Sequence, residues 1–224
     1  MSTYLDRSIQ LLGNDKIQSF KNKVILIAGI GGVGGTALEA LVRSGFDRFI
    51  LIDFDTVDES NLNRQILFTN KDVGLNKCEC AERRLKSIYP NIQITSINSK
   101  VDTGFFKLFK EKVDFIVDAI DYIPGKLELI KYSLENNIPF ISSLGMGNRI
   151  DPTKVCITKL NQTTGDPLGK KIRYECRQLG LELNKINVVF SKEEPILKSK
   201  TPGSMIMVPS TAGLLIAKYI IEHI

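Results

Sequence analysis

A doubly wound α/β fold, with a mostly parallel sheet and helices on both faces, is what this sequence predicts. Short continuous apolar runs, typical of strands buried on both sides, alternate with longer amphipathic stretches. A glycine-rich turn occupies the first strand–helix junction. The 224 residues, 43% hydrophobic and 25% charged, suit one sizeable packed core and are too few for two. Residues 1–224 therefore read as a single domain, with a core unit over 1–150 and an appended segment over 151–224.

The elements follow in order. Leu5, Ile9, Leu12, Ile17 and Phe20 have helical spacing, which predicts a helix over residues 4–20, and the apolar run 24–28 predicts the first strand. Residues 29–35 form the turn, 36–44 a helix, and 49–52 a second strand that ends at Asp53, completing one βαβ unit. Alternation continues with a helix near 76–88, a strand at 92–97, a helix near 103–109 and a strand at 115–118. A helix near 124–135 and a strand at 139–142 follow. Beyond Asp151 the pattern predicts a strand at 155–158, a basic helix near 167–179, a strand at 188–190, a polar loop over 191–203 and a last apolar helix.

Bulk properties narrow the function classes. The four cysteines, Cys78, Cys80, Cys156 and Cys176, form no C-x-x-C pair, and the polar start shows no secretory leader, so a reduced, cytoplasmic setting is expected. Residues 212–224 are interrupted by Lys218, Glu222 and His223 and fall short of the ~20 residues that span a bilayer. No transmembrane segment is expected. Docking of this helix in a dimer and peripheral contact with a membrane surface both stay open. The net charge is +5, and residues 151–204 concentrate it with ten Lys/Arg against six Asp/Glu, a bias suited to a polyanion such as RNA.

Gly29-Ile30-Gly31-Gly32-Val33-Gly34 matches G-x-G-x-x-G between a predicted strand and helix, with Asp53 ending the next strand. This is the pattern of a Rossmann-like nucleotide site. Glycines let the backbone approach phosphates, the helix N-terminus offers unpaired N–H groups, and Asp53 can hold ribose hydroxyls. The motif alone does not separate NAD from ATP, so an NAD-dependent oxidoreductase remains open at this point. The polar stretch Asp53-Phe54-Asp55-Thr56-Val57-Asp58-Glu59-Ser60-Asn61-Leu62-Asn63-Arg64-Gln65, placed at the carboxyl edge of the sheet, is one a dehydrogenase has no need of.

With Gly74-Leu75-Asn76-Lys77 and Asp118-Ala119-Ile120-Asp121 following in order, the chain resembles the ThiF/MoeB-like adenylating superfamily, which includes the ubiquitin-activating and molybdopterin-activating enzymes. That resemblance implies an ATP-binding core over 1–150 and a substrate-facing segment over 151–224. Gly29, Gly31, Gly32, Gly34, Asp53, Asp55, Ser60, Asn61, Asn63, Arg64, Gln65, Lys77 and Asp121 would form the ATP site. Asp53 would hold the ribose, and Asn61, Asn63, Arg64 and Gln65 would line the triphosphate. Lys77 would contact phosphates and Asp121 would hold Mg²⁺. Arg7, in Arg7-Ser8-Ile9-Gln10-Leu11-Leu12-Gly13, resembles an arginine that enters the partner subunit's site, which implies a homodimer. Taken singly, Arg64 and Lys77 could be surface charges, and Asp121 could be a helix cap.

Within the superfamily, members that activate ubiquitin-like or sulfur-carrier proteins typically carry zinc-binding C-x-x-C pairs or a catalytic-cysteine domain, and this sequence shows neither. The chain is more similar to the tRNA threonylcarbamoyladenosine dehydratase branch. Asn137-Ile138-Pro139, Gly145-Met146-Gly147-Asn148-Arg149-Ile150-Asp151-Pro152-Thr153 and Asp166-Pro167-Leu168 with Lys170, Lys171 and Arg173 carry that likeness. It implies ATP-dependent cyclisation of N6-threonylcarbamoyladenosine at position 37 of tRNA, with Lys170, Lys171, Arg173, Arg177 and Lys185 meeting the RNA backbone. Two alternatives are activation of the C-terminal glycine of a ubiquitin-like or sulfur-relay carrier protein and a non-catalytic binding subunit.

Overall fold

Successive residues of a strand point to opposite faces of a sheet, and here the apolar runs fill two cores at once. The computed structural model describes residues 3–197 and 202–224. In β1 (Val24–Ala28) Ile25 and Ile27 enter one core while Leu26 and Ala28 enter the other. β2 (Arg48–Ile52) and β4 (Phe115–Asp118) divide in the same way: Phe49, Leu51, Phe115 and Val117 go to the first core, and Ile50, Ile52 and Ile116 to the second. Helices α2 (Asn14–Phe20), α3 (Gly32–Arg43), α4 (Lys77–Ile88) and α7 (Met207–His223) cover the first core. Helices α5 (Ile123–Asn136) and α6 (Pro167–Gln178) cover the second.

The sheet runs β3-β2-β1-β4-β5-β7-β6. Its remaining strands are β3 (Gln93–Ile97), β5 (Phe140–Ser143), β6 (Val155–Lys159) and β7 (Asn187–Ser191). All pairings are parallel except β6 with β7, where Val155 faces Ser191 and Lys159 faces Asn187. An antiparallel edge strand on an otherwise parallel sheet is a common variant of this architecture. Strand order reverses between β1 and β4, and in such sheets ligands bind outside the carboxyl ends at the reversal.

Several expected boundaries differ. The first predicted helix breaks at Gly13 (φ 83°, ψ 154°) into α1 (Asp6–Leu12) and α2. Helix α3 starts at Gly32, so Gly32, Gly34 and Gly35, expected in the turn, form the first helical turn, while Gly29 and Gly31 stay in the bend. Near residues 103–109 only a 3-10 turn, Phe105–Leu108, forms; Phe106 stacks on Tyr132 of α5 and Phe109, just past the turn, meets that ring edge-on instead of continuing a helix. The last helix begins at Met207, and Ser191 closes β7. The rest of the expected loop over 191–203 lies partly outside the described residues, since 198–201 are not among them.

The contact that seats the C-terminal helix is backbone-close. A Cβ on Gly213 of α7 would lie 2.5 Å from the Val33 carbonyl oxygen and 2.9 Å from the Ala37 nitrogen of α3. Gly213→Ala should therefore force the helices apart and lower stability by about 1–3 kcal/mol, the usual cost of overpacking, read as a lower urea midpoint with an unchanged m-value.

Candidate active site

The turn after β1 has no room for side chains on its sheet side. Gly29 has φ 84°, and a Cβ there would lie 2.7 Å from the Ala119 carbonyl oxygen beyond β4. A Cβ on Gly34 would lie 1.9 Å from the Gly29 oxygen, so α3 can start this close to the turn only with glycine there. Gly31 is different: nothing but Gln65 Nε2, 3.7 Å away, stands near its missing Cβ, so its open side faces the cavity. The N-terminus of α3 thus points into the crevice with its dipole and unpaired N–H groups.

That crevice is a cavity of about 500 Å³. Gly29, Gly31, Gly32, Asp53, Asp55, Asn61, Arg64, Gln65, Lys77 and Asp121 all line it, so residues from 29 to 121 converge on one space. Gly34, Ser60 and Asn63 do not. Gly34 serves the close approach just described. The Ser60 carbonyl and Asn63 Oδ1 accept from the Arg64 guanidinium at 2.7 and 2.9 Å and so aim it. Asn63 Nδ2 donates to the Ser204 carbonyl at 2.8 Å, tying this stretch to the C-terminal segment. Arg7 lies on α1 away from its own chain's cavity, exposed and close to Gln10.

Asp53 is buried at the end of β2. Its Oδ2 accepts from the Ile30 amide at 2.7 Å and its Oδ1 from the Asp55 amide at 2.9 Å, so one carboxylate pins the glycine turn to the polar stretch. Burial raises its pKa above the ordinary carboxylate range, opposed by Lys77 and by those two amides. Lys77, 5% exposed, reaches the Asp55 carboxylate at 2.8 Å. Asn76 caps α4 by accepting from the Cys78 and Glu79 amides, which places Lys77 in the first turn, at the cavity wall. Gln65 is buried, and its Oε1 has no protein partner among the described residues.

Asp121 is exposed at the rim, and Tyr122, not Asp121, flanks the start of α5, with no side-chain capping bond there. Cys78, Cys80 and Cys176 are buried. Burial pushes the Cys78 thiol up to about 12 and the Cys176 thiol up to about 11, so neither offers thiolate near neutrality. Of the five basic residues expected to meet RNA, Lys170, Lys171 and Arg177 are exposed on α6. Arg173 is held by Thr163, and Lys185 pairs with Glu182 at 2.5 Å.

Sequence reasoning missed several wall residues: Ser99, Lys100 and Val101 after β3, Tyr122 after β4, Met146 and Gly147 after β5, and Ser204 and Pro209 before and within α7. The rule that ligands gather at strand carboxyl ends pointed to the first three groups; nothing local marked Ser204 or Pro209.

The chain is similar to known proteins over most of its length. The chain is 33% identical to the tRNA threonylcarbamoyladenosine dehydratase of Bacillus subtilis, over 94% of this chain and 90% of that one. It is 34% identical to the Escherichia coli enzyme of the same name, over 91% and 78%. A crystal structure of E. coli tRNA N6-threonylcarbamoyladenosine dehydratase in complex with ATP superposes with a TM-score of 0.92 at 32% identity, covering 98% of this chain and 93% of that one. A model of the ThiF family matches residues 5–222, and the chain belongs to that family.

Proposed function

We propose that this protein uses ATP to adenylate a carboxylate, and that its substrate is N6-threonylcarbamoyladenosine at position 37 of tRNA, which it dehydrates to a cyclic form. The observation that carries the adenylation reading is the convergence of the glycine turn, Asp53, Arg64, Lys77 and Asp121 on one cavity. The tRNA reading is supported by the two dehydratases matched over most of this chain. In this reading residues 1–150 supply most of the nucleotide site and 151–224 face the substrate.

Asp53 accepts from ribose hydroxyls through lone pairs left after its two amide bonds. The open side of Gly31 and the N-terminus of α3 receive phosphate oxygens, and Gln65, Asn61, Arg64 and Lys77 border them. One oxygen of the threonyl carboxylate attacks the α-phosphorus; the bond to the β-phosphate bridging oxygen breaks and pyrophosphate leaves. Fixed cations lower that barrier by matching the charge that builds on the phosphorus oxygens. The carbamoyl nitrogen or oxygen of the same modified base then attacks the acyl carbon, AMP leaves with the carboxylate oxygen, and a ring closes with net loss of water. An intramolecular nucleophile has a high effective molarity, so no thiol is needed, consistent with the burial of Cys78, Cys80 and Cys176.

Among the described residues no three His, Cys, Asp or Glu side chains gather to hold a metal by themselves. A single carboxylate such as Asp121 beside a phosphate cavity fits Mg²⁺ carried by the nucleotide, which would supply charge neutralisation there. The protein is proposed to act as a cytoplasmic homodimer, Arg7 completing the partner subunit's site. No helix among the described residues is long and apolar enough to cross a membrane. The exposed face of α6, with Lys170, Lys171 and Arg177, would meet RNA phosphates without reading sequence.

Incubation with ATP and threonylcarbamoyladenosine-containing tRNA should convert that nucleoside to a species lighter by one water, seen by mass spectrometry of the digested tRNA. Turnover that instead requires a carrier protein with a C-terminal glycine would overturn the substrate. Lys77→Ala should cut turnover by at least ~10²-fold, as expected when a preorganised charge is removed, and Asp121→Ala should do the same. Asp121→Ala should keep the wild-type melting temperature because Asp121 is exposed, whereas Lys77→Ala, which removes a buried side chain and the charge facing buried Asp53, should stay folded but melt lower. Mixing Arg7→Ala with Lys77→Ala protein should restore part of the activity that each lacks alone, since mixed dimers would carry one intact site; no recovery in exchanged dimers would argue for sites complete within one chain.

A further inference from the structure

The most deeply buried cation among the described residues takes no part in the adenylation chemistry. Lys126, on the first turn of α5, has no exposed surface, and neither does its partner Asp118 at the end of β4. Its ammonium lies 3.1 and 3.0 Å from the two Asp118 oxygens and 3.2 Å from Ser142 Oγ, and it donates to the Ser143 carbonyl at 2.7 Å. Ser142 Oγ also donates to Asp118 Oδ2 at 2.6 Å. Desolvation raises the Asp118 pKa, opposed first by Lys126. Breaking even against well-packed apolar residues is common for a buried ion pair, so stability alone is a weak account of this one.

Its position is informative. On the Asp118 side the next residues, Ala119, Ile120, Asp121 and Tyr122, form one wall of the cavity, and the Ile120 amide is bonded back to Asp118 Oδ1 at 3.3 Å. On the Ser143 side the chain runs through Leu144 and Gly145 to Met146 and Gly147, which line the cavity too. A second buried ion pair anchors the far end of that segment. Arg149 donates to the Gly145 and Gly147 carbonyls at 2.6 and 3.2 Å and pairs at 3.2 Å with Asp166, whose other oxygen caps α6 through the Gly169 amide at 2.6 Å. The helix with the exposed basic face is thereby joined by backbone and two buried pairs to the segment carrying Asp121.

We propose that Lys126 is a positioning residue that sets the separation between the wall holding the nucleotide, Ala119–Asp121, and the wall presenting the tRNA carboxylate, Met146–Gly147. This rests on the function proposed above. It touches neither ATP nor RNA. Its ammonium clamps the ends of β4 and β5, two strands that meet at the reacting centre, so removing it lets the carboxylate and the α-phosphorus drift apart while the phosphate contacts of Arg64, Lys77 and α3 stay in place.

The test is the double variant Lys126→Met/Asp118→Asn, which removes both charges together at similar volume and leaves no unpaired buried charge. We expect the variant to fold, with kcat on modified tRNA down ~30- to 100-fold and KM for ATP within ~3-fold of wild type, the signature of a misplacement near 1 Å. Hydrogen exchange, which needs no substrate, should become at least ~10-fold faster at amides of both 119–122 and 144–147, with β1 and β2 unchanged. Turnover within threefold of wild type, or loosening of one wall only, would overturn the proposal. If the double variant does not fold, Ser142→Ala keeps the ion pair and loses one partner: both walls should loosen and kcat should fall ~3- to 10-fold, and absence of both effects would count as refutation. Wild-type protein that fails to dehydrate modified tRNA would refute the proposed function, while the exchange comparison would still decide whether Lys126 fastens the two walls.

Discussion

The site depends on a lack of space where β1, α3 and β4 meet. At Gly29 and Gly34 any side chain would collide with backbone, at 2.7 and 1.9 Å. The chain can therefore leave β1, reverse and start α3 within four residues, with the helix end held against the sheet. Everything polar in the cavity is arranged relative to that bend. Asp53 can accept from the Ile30 amide only because the turn brings it there, and Asp55 and Lys77 are placed in turn by Asp53 and the Asn76 cap. Phosphate affinity at such a place comes from backbone N–H groups that the helix itself cannot satisfy.

Most of the sheet was legible because buried parallel strands are written as short apolar runs; β1, β2, β4 and β5 each lie within a residue or so of such a run, and the more exposed edge strand β3 lies within a residue of its expected span. What misled was chemistry that overrides periodicity. Gly13 interrupts a helical spacing that continues across it: Leu5, Ile9, Ile17 and Phe20 still pack although the axis changes, while Leu12 is left exposed. Phe105, Phe106 and Phe109 look helical by spacing but are held by aromatic stacking in a tighter turn. In the site, Asp53, Arg64, Lys77 and Asp121 were legible from a motif whose parts are spaced by the strands that carry them. Ser99, Tyr122, Ser204 and Pro209 were not, because a wall residue contributes shape and backbone, and any of several side chains would serve. Lys126 is the instructive case: a lysine in a helix reads as a surface charge, and only the fold shows it enclosed.

The polar interior is economical. Two buried ion pairs among the described residues, Lys126 with Asp118 and Arg149 with Asp166, sit beneath loops that border the cavity. Each cation also donates to backbone carbonyls of those loops, which spreads its charge over several acceptors and satisfies groups that would otherwise be stranded in low dielectric. Rigid loops of this kind suit a reaction whose difficulty is placement. The thiols follow the opposite logic: Cys78 lies directly under Asp53, its sulfur 3.5 Å from that residue's carbonyl, and contributes volume there.

Pro209 and Ser204 have one more implication. Pro209 sits 3.2 Å from where a Cβ on Gly32 would be, and Ser204 is joined to Asn63, so α7 and the residues just before it close a cavity opened by β1. During synthesis on the ribosome the glycine turn emerges early, yet its last wall is still unmade when the rest of the sheet is available. Until α7 has been made and has docked on α3, a growing chain carries this cavity without that wall.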